Sequence, residues 1–402
     1  MNIEVEALPL EGSYYKVVPC EGASILAVVF ANVNMPAGKY TFFKNMEQQP
    51  VHRLYVNDVD NRWYQNGVPG LGSNVEDSIE MILKWKDQLG ADEIVTVGSS
   101  MGGYGAILFG AKLGCRVLAF GAETILKLPQ SRSLTFMPKS LPVLYPDLKP
   151  IVLESDASIT LISGEFDLVD LIGAKNLYEL KNTEVISIRG IGHNTPAFLD
   201  SKYGIGDIFK SYLLDDKLPD IEDKGTICGF ENAVELLGKA NNEFLTKQYE
   251  LAKNTLNEII EISNTIDIAY FKLGNTLYLL QDYEGAVKSL ENAVRISPHF
   301  VKAYEQLGVT LRKLGRFEEA FESHVKAYEN DPYLPTAYFN AGLALEKLKR
   351  FDEAEAHFRK AVNLAEENPK FKKKLADTLL INANRRIKEY SEIVNSLLVN
   401  KI

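Results

Sequence analysis

"EIVTVGSSMGGYGAILFGAKLG", residues 93–114, decides how the first half of this 402-residue chain is read. A β-branched run ends in two serines. Four glycines, Gly98, Gly102, Gly103 and Gly105, crowd into eight residues around them, and an apolar helical segment follows. A nucleophile on a strand–turn–helix needs small residues two places before and two places after it. The turn is so tight that the apex takes positive φ and flanking side chains clash. For Ser100 the flanks are Gly98 and Gly102; for Ser99 they are Val97 and Met101, which do not fit. The stretch therefore reads as a G-x-S-x-G elbow with Ser100 at its apex. A phosphate-binding turn is the competing reading, but the G-x-G-x-x-G spacing and a P-loop lysine are both missing.

Working outward, residues 1–212 alternate short Val/Ile/Leu-rich runs, 25–33, 52–58, 93–99, 116–122, 158–164 and 184–190, with helical stretches such as 74–90 and 168–180. Continuous apolar strands separated by helices predict a mostly parallel sheet covered on both faces. A serine nucleophile needs a base, and the base needs an orienting acid. Of five histidines, His299, His324 and His357 fall in the second half, and His52 opens a strand at the wrong edge. His193, in "RGIGHNTP" after the last strand, remains as the base. The acid belongs after the preceding strand, where "LISGEFDLVD" offers Glu165, Asp167 and Asp170. Asp167 is the favoured acid, Glu165 the runner-up, and Asp170 reads as the first-turn charge of a helix.

The order Ser100…Asp167…His193 resembles the α/β-hydrolase family over residues 14–212. The resemblance implies an eight-stranded, mostly parallel sheet and an oxyanion hole of two backbone N–H groups. One would be that of Met101. The other would come from the turn after "LAVVF", at Ala31 or alternatively Asn32, where "FANVNMPAGKYTFFK" stands instead of the H-G-G-G element of many lipases. With "NDVDNRWYQNGVPGLG", these segments are similar to small bacterial hydrolases of glycan-modifying and accessory Sec systems, which implies O-acyl chemistry on a carbohydrate. Asn32, Trp63 and Tyr64 are the expected substrate-binding residues. No cofactor and no metal are expected.

Residues 213–229, acidic and broken by Pro219, Gly225 and Gly229, read as a linker. Beyond it no strand signal occurs. Tyr249, Tyr283, Phe317 and Phe351 recur at intervals of 34, as do Ala252, Ala286, Ala320 and Ala354, and Gly274, Gly308 and Gly342. This pattern resembles the tetratricopeptide repeat, with a degraded copy at 233–266, three clear copies at 267–300, 301–334 and 335–368, and C-terminal capping helices to 402. The predicted fold class is thus an α/β-hydrolase domain followed by an all-α tetratricopeptide-repeat solenoid. The inner face of the repeats, with Phe271, Tyr278, Val309, Phe339 and Leu343 among its candidates, predicts a protein partner with apolar anchors, or self-association through the groove.

The net charge of −10 leaves no basic stripe to displace phosphate counterions, so a nucleic-acid partner is not expected. No run of 18 apolar residues occurs, so no membrane insertion is expected. The acidic N-terminal stretch has no leader-like apolar core, and three cysteines without metal spacing suit a reducing compartment, so a cytoplasmic location is expected. Two functions follow. The first is a serine esterase or acyl-transferring enzyme acting on a small-molecule or glycan acyl ester, with a repeat domain that recruits a partner. The second is a repeat-based interaction protein whose hydrolase half is a relic.

Overall fold

In a computed structural model, which describes residues 8–399, the chain divides into two units, 1–235 and 236–402. In the first, seven strands form one sheet: β1 (Tyr15–Val18), β2 (Ile25–Phe30), β3 (His52–Val56), β4 (Glu93–Ser99), β5 (Arg116–Phe120), β6 (Ser158–Gly164) and β7 (Thr183–Ile188). Their order is β1-β3-β2-β4-β5-β6-β7, and only β1 runs antiparallel to its neighbour. Seven strands among the described residues replace the eight that the hydrolase resemblance implied. The helices of this unit are α1 (Phe43–Met46), α2 (Val75–Leu89), α3 (Met101–Leu113), α4 (Arg132–Phe136), α5 (Lys149–Leu153), α6 (Leu168–Leu177), α7 (Thr195–Tyr203) and α8 (Ile205–Asp215).

Each residue of β2 and of α3 up to Ala111 is buried, which is why both read as unbroken apolar runs. Register sets the parallel strands' carboxyl ends side by side. Phe30 of β2 pairs with Gly98 of β4, Ser99 with Phe120 of β5, and Gly164 of β6 with Ile188 of β7. Neighbouring strands lie about 4.8 Å apart, so the loops that leave these ends converge on one edge.

Residues 213–229 are not a linker. Ile221, Ile227 and Cys228 are buried, Gly225 N donates to Ser187 O at 2.7 Å, and Arg189 N donates to Asp223 O at 3.1 Å. Local acidity and proline suggested a free segment, whereas the free edge of β7 supplies backbone partners that no local pattern reports.

The second unit is all helix: α9 (Ala233–Leu245, which starts in the first unit), α10 (Tyr249–Ile262), α11 (Asp267–Leu279), α12 (Tyr283–Ile296), α13 (Val301–Lys313), α14 (Phe317–Asn330), α15 (Pro335–Lys347), α16 (Phe351–Leu364) and α17 (Pro369–Val399). Small residues admit the facing helix. A Cβ on Gly274, Gly308 or Gly342 would come within 2.6 Å of Leu290, His324 or Phe358, side chains that themselves recur every 34 residues. Phe271 and Phe339, expected on an open groove, are instead buried, against Phe300 and against Phe358 and Phe371.

Candidate active site

Ser100 stands between β4 and α3 with φ 56° and ψ −124° and is 5% exposed. Ser99, in contrast, is a strand residue paired to Phe120. The flanking glycines answer to backbone. A Cβ on Gly98 would meet Gly102 O at 2.0 Å, and one on Gly102 would meet Phe30 O at 2.3 Å. Ser100 N donates to Phe120 O at 2.8 Å, and Ser100 O accepts from Tyr104 N at 3.1 Å, which locks the turn between β5 and the first turn of α3.

His193 lies in the loop between β7 and α7 and is partly exposed. That loop crosses the end of β6 so closely that a Cβ on Gly164 would strike the carbonyls of Ile191 and Gly192 at 2.3 and 2.2 Å. The imidazole rests over Gly121, which has φ 52° and from which Nδ1 is 3.1 Å distant, measured from an added Cβ. Gly121 follows Phe120, the residue that holds Ser100 N, so base and nucleophile share one corner of the sheet. Among the described residues no hydrogen bond joins Ser100 to His193; such bonds are often long before substrate binds.

The acid differs from expectation. His193 Nδ1 is hydrogen-bonded to Asp170 Oδ2 at 2.6 Å, not to Asp167. Asp170 is fully buried in the first turn of α6. Asp167 is the N-cap of α6, where its Oδ1 accepts from Val169 N and Asp170 N, both at 3.1 Å. The capping role turns Asp167 away and brings the helix's own first-turn carboxylate to the imidazole. Glu165 is buried beneath β7, where it accepts the Ser187 hydroxyl at 2.7 Å.

Arg132 of α4 supplies the countercharge. Its guanidinium lies 2.6 Å from Asp167 Oδ2, 3.3 Å from Asp170 Oδ1 and 3.6 Å from Glu123 Oε1. Burial pushes the Asp170 carboxyl well above the usual carboxylate range, against the lowering pull of His193 and Arg132. At Asp167 burial also raises, but the Arg132 hydrogen bond and charge outweigh it and hold that carboxyl below the usual range. One donor atom each from Asp167, Asp170 and His193 falls within 4.8 Å of the others, a spacing that could hold a metal ion. Arg132 already bonds both carboxylates, so the site's positive charge comes from the chain itself.

Met101 opens α3, where first-turn N–H groups have no acceptor within the helix. The second expected oxyanion donor is otherwise engaged. Ala31 N donates to Val56 O at 2.9 Å, and Asn32 N donates to Thr41 Oγ1 at 2.9 Å. Trp63 and Tyr64, expected to face substrate, are 1% and 0% exposed. Tyr64 Oη donates to Ala31 O at 3.0 Å, and its ring packs edge-on to Phe30. Their loop is strained, with Asn61, Trp63 and Tyr64 at φ 53–55°. The Asp58 carboxylate holds it by accepting from Tyr64 N at 2.9 Å. Asn32 alone of the three proposed contacts keeps partial exposure. A cavity of about 340 Å³ lined by Ser158, Asn182, Thr183, Tyr212 and Asp216 opens at the amino ends of β6 and β7, the edge opposite Ser100.

Gly121 and Arg132 escaped the sequence reading. Gly121 was legible only as the end of an apolar strand, and Arg132 sits in residues 123–157, a stretch broken by Pro129, Pro138, Pro142, Pro146 and Pro150, with no local pattern to mark it.

Comparison with known proteins bears on the second unit. Residues 299–367 match a tetratricopeptide repeat family, and residues 274–315 match a TPR repeat family. This region consists of tetratricopeptide repeats. Solved structures similar to part of the chain include a MamA fragment from Desulfovibrio magneticus RS-1, 18% identical, covering 41% of this chain and 94% of that one at a TM-score of 0.37. A crystal structure of MamA is 26% identical and covers 35% and 76%, at 0.33. A Pseudomonas aeruginosa PilF structure is 20% identical and covers 38% and 69%, at 0.35. No curated protein matches the chain. The repeats suggest a role in protein interaction, and no helix among the described residues is long and apolar enough to cross a membrane.

Proposed function

We propose that the first unit is a serine acyl hydrolase or acyltransferase carried on a protein-interaction module. The observation that carries this reading is the strained Ser100 elbow beside an imidazole whose Nδ1 is bound to a buried carboxylate. With Asp170 ionised, His193 Nδ1–H donates to it and Nε2 is left as the base. Nε2 takes the Ser100 hydroxyl proton as Oγ attacks the acyl carbonyl. The proton then passes to the leaving alcohol, and an acyl-serine remains. Water or another alcohol, deprotonated by the same nitrogen, releases the acyl group and restores Ser100. Met101 N–H faces the developing oxyanion. Trp63 and Tyr64 are buried and offer no ring face to a sugar, so the substrate is named only as an acyl ester.

Labelling with a fluorophosphonate probe tests it. Wild type should be labelled and Ser100→Ala should not; an unlabelled, folded wild type overturns the reading. The engaged N–H groups of Ala31 and Asn32 favour a second one, an interaction protein whose hydrolase-like unit turns nothing over. The same experiment separates the two.

A further inference from the structure

Helix α17 begins as the first helix of another repeat and then departs from the pattern. Its start at Pro369 keeps the 34-residue register of Asp267, Val301 and Pro335. One face docks on the preceding repeat. Phe371 stacks on Phe339, Thr378 Oγ1 donates to Glu346 at 2.8 Å, and Asn382 Nδ2 donates to Glu355 at 2.8 Å. In the earlier hairpins the chain turns at Lys247, Gln281, Gly315 and Lys349, all at positive φ. The next residue in that series is Ala383, and it stays helical. The aromatic, alanine and core positions of a second hairpin helix would fall on Arg385, Lys388 and Glu392, which cannot pack there. The expected capping helices are therefore one continuous helix of 31 residues.

The other face of α17 follows a different rule. Leu380, Ala383, Ile387, Tyr390, Val394 and Leu397 alternate in steps of three and four, the a and d positions of a heptad. All are exposed, the five large ones by 53–68%. Ala376 extends the seam backwards. It stands where Gly274, Gly308 and Gly342 receive the second helix of their own hairpins, yet it is exposed. Charges avoid the seam. Arg385 and Glu389 pair along the helix, as do Lys388 and Glu392, and Arg386 is bonded to Asp352 at 3.1 Å. Two copies of this face thus oppose apolar side chains along the seam, with the flanking Arg386 paired to Asp352 of its own chain, and a strict seven-residue apolar repeat selects a helix of the same period as its partner.

We propose that α17 is a self-association element, in which residues 387–394 of one copy pack antiparallel over Ala376–Ala383 of a second copy, in the place of the missing hairpin helix. Antiparallel packing matches the direction in which a second hairpin helix returns along the first. This inference does not rest on the acyl-transfer reading.

Sedimentation equilibrium of the full chain over a concentration series is the test. Wild type should approach twice the monomer mass. Ile387→Glu/Val394→Glu should weaken association by about 100-fold or more, because two charges would enter an apolar seam. Lys388→Glu/Glu392→Lys, on the opposite face, should associate as wild type does. A monomeric wild type overturns the proposal, as does association untouched by the seam charges. Cysteine pairing sets the direction: Ala376→Cys/Val394→Cys should cross-link between copies, whereas self-linking by Val394→Cys alone overturns the antiparallel arrangement.

Discussion

The sheet unit and the repeat unit differ in how far apart in sequence their contacting residues lie. In the repeats, Gly274, Gly308 and Gly342 each face a side chain 16 residues on, and the same contact recurs every 34 residues. In the sheet unit, Ser100, Arg132, Asp170 and His193 follow four different strands, and Arg132 and His193 reach Asp170 only because register aligns the strand ends. Local spacing therefore reports the repeats almost completely, whereas for the site it reports only what a single turn demands. A repeat that faces its neighbour alone has a nearly one-dimensional code; a site at a sheet edge does not.

The largest effect tests the one part of the site that local spacing marks. Ser100→Ala should abolish fluorophosphonate labelling and lower turnover of a small ester on the order of 10⁶-fold, with His193→Ala matching it because the two act as a unit. Ser99→Ala should keep most activity. Equal losses from both serines would mean that the elbow was placed wrongly.

Next comes the part that only tertiary contacts mark. Asp170→Asn should cost on the order of 10⁴-fold in kcat by disfavouring the required imidazole tautomer. Asp167→Asn should cost far less in kcat, since asparagine caps a helix as well as aspartate does, and any stability it loses should come from the missing Arg132 ion pair. If kcat instead tracks Asp167, the hydrogen bond between Asp170 and His193 is not the working one.

The third prediction concerns where the sheet unit stops. A chain ending at residue 235 should keep small-ester activity. One ending at 215 should unfold at a clearly lower temperature, since it strips Ile221, Ile227, Cys228 and the bonds to Ser187 and Arg189. Equal melting temperatures would restore 213–229 as a linker.

The smallest effect lies inside the repeat code. His324 is fully buried, and neither ring nitrogen has a hydrogen-bond partner among the described residues. Burial, with a smaller push from Arg312, lowers its pKa to about 3 from 6.5. The unfolded chain binds the proton more readily, so this group's stability is whole above pH 6.5 and drains away as pH falls towards 3. At pH 5 the loss is about 2 kcal/mol. His324→Leu, which copies Leu290 one repeat earlier, should remove that loss. The difference in melting temperature between the variant and wild type should grow from pH 8 to pH 5, and a constant difference would refute the titration.

Both periodicities were legible because each reflects burial along one element. Short runs dominated by Val, Ile, Leu and Thr marked β4 and β6 to the residue, since a strand covered on both faces has little room for charge. The short edge strand β1 carried no such run and was missed. Trp63 and Tyr64 looked like binding residues because ring density says nothing about direction, and a left-handed backbone turned both inward. Ala31 and Asn32 had the right place for a donor, but Val56 and Thr41 took their N–H groups.

By itself the sequence determined the Ser100 elbow, the parallel strand–helix alternation and the 34-residue repeat. Each depends on atoms a few residues apart, where a missing Cβ or an apolar stripe is enough. Tertiary structure alone decided that Asp170 rather than Asp167 meets His193, that Arg132 sits between the carboxylates, and that 213–229 edges the sheet. Those contacts join loops tens of residues apart, and strand register and burial select their partners after the chain has folded.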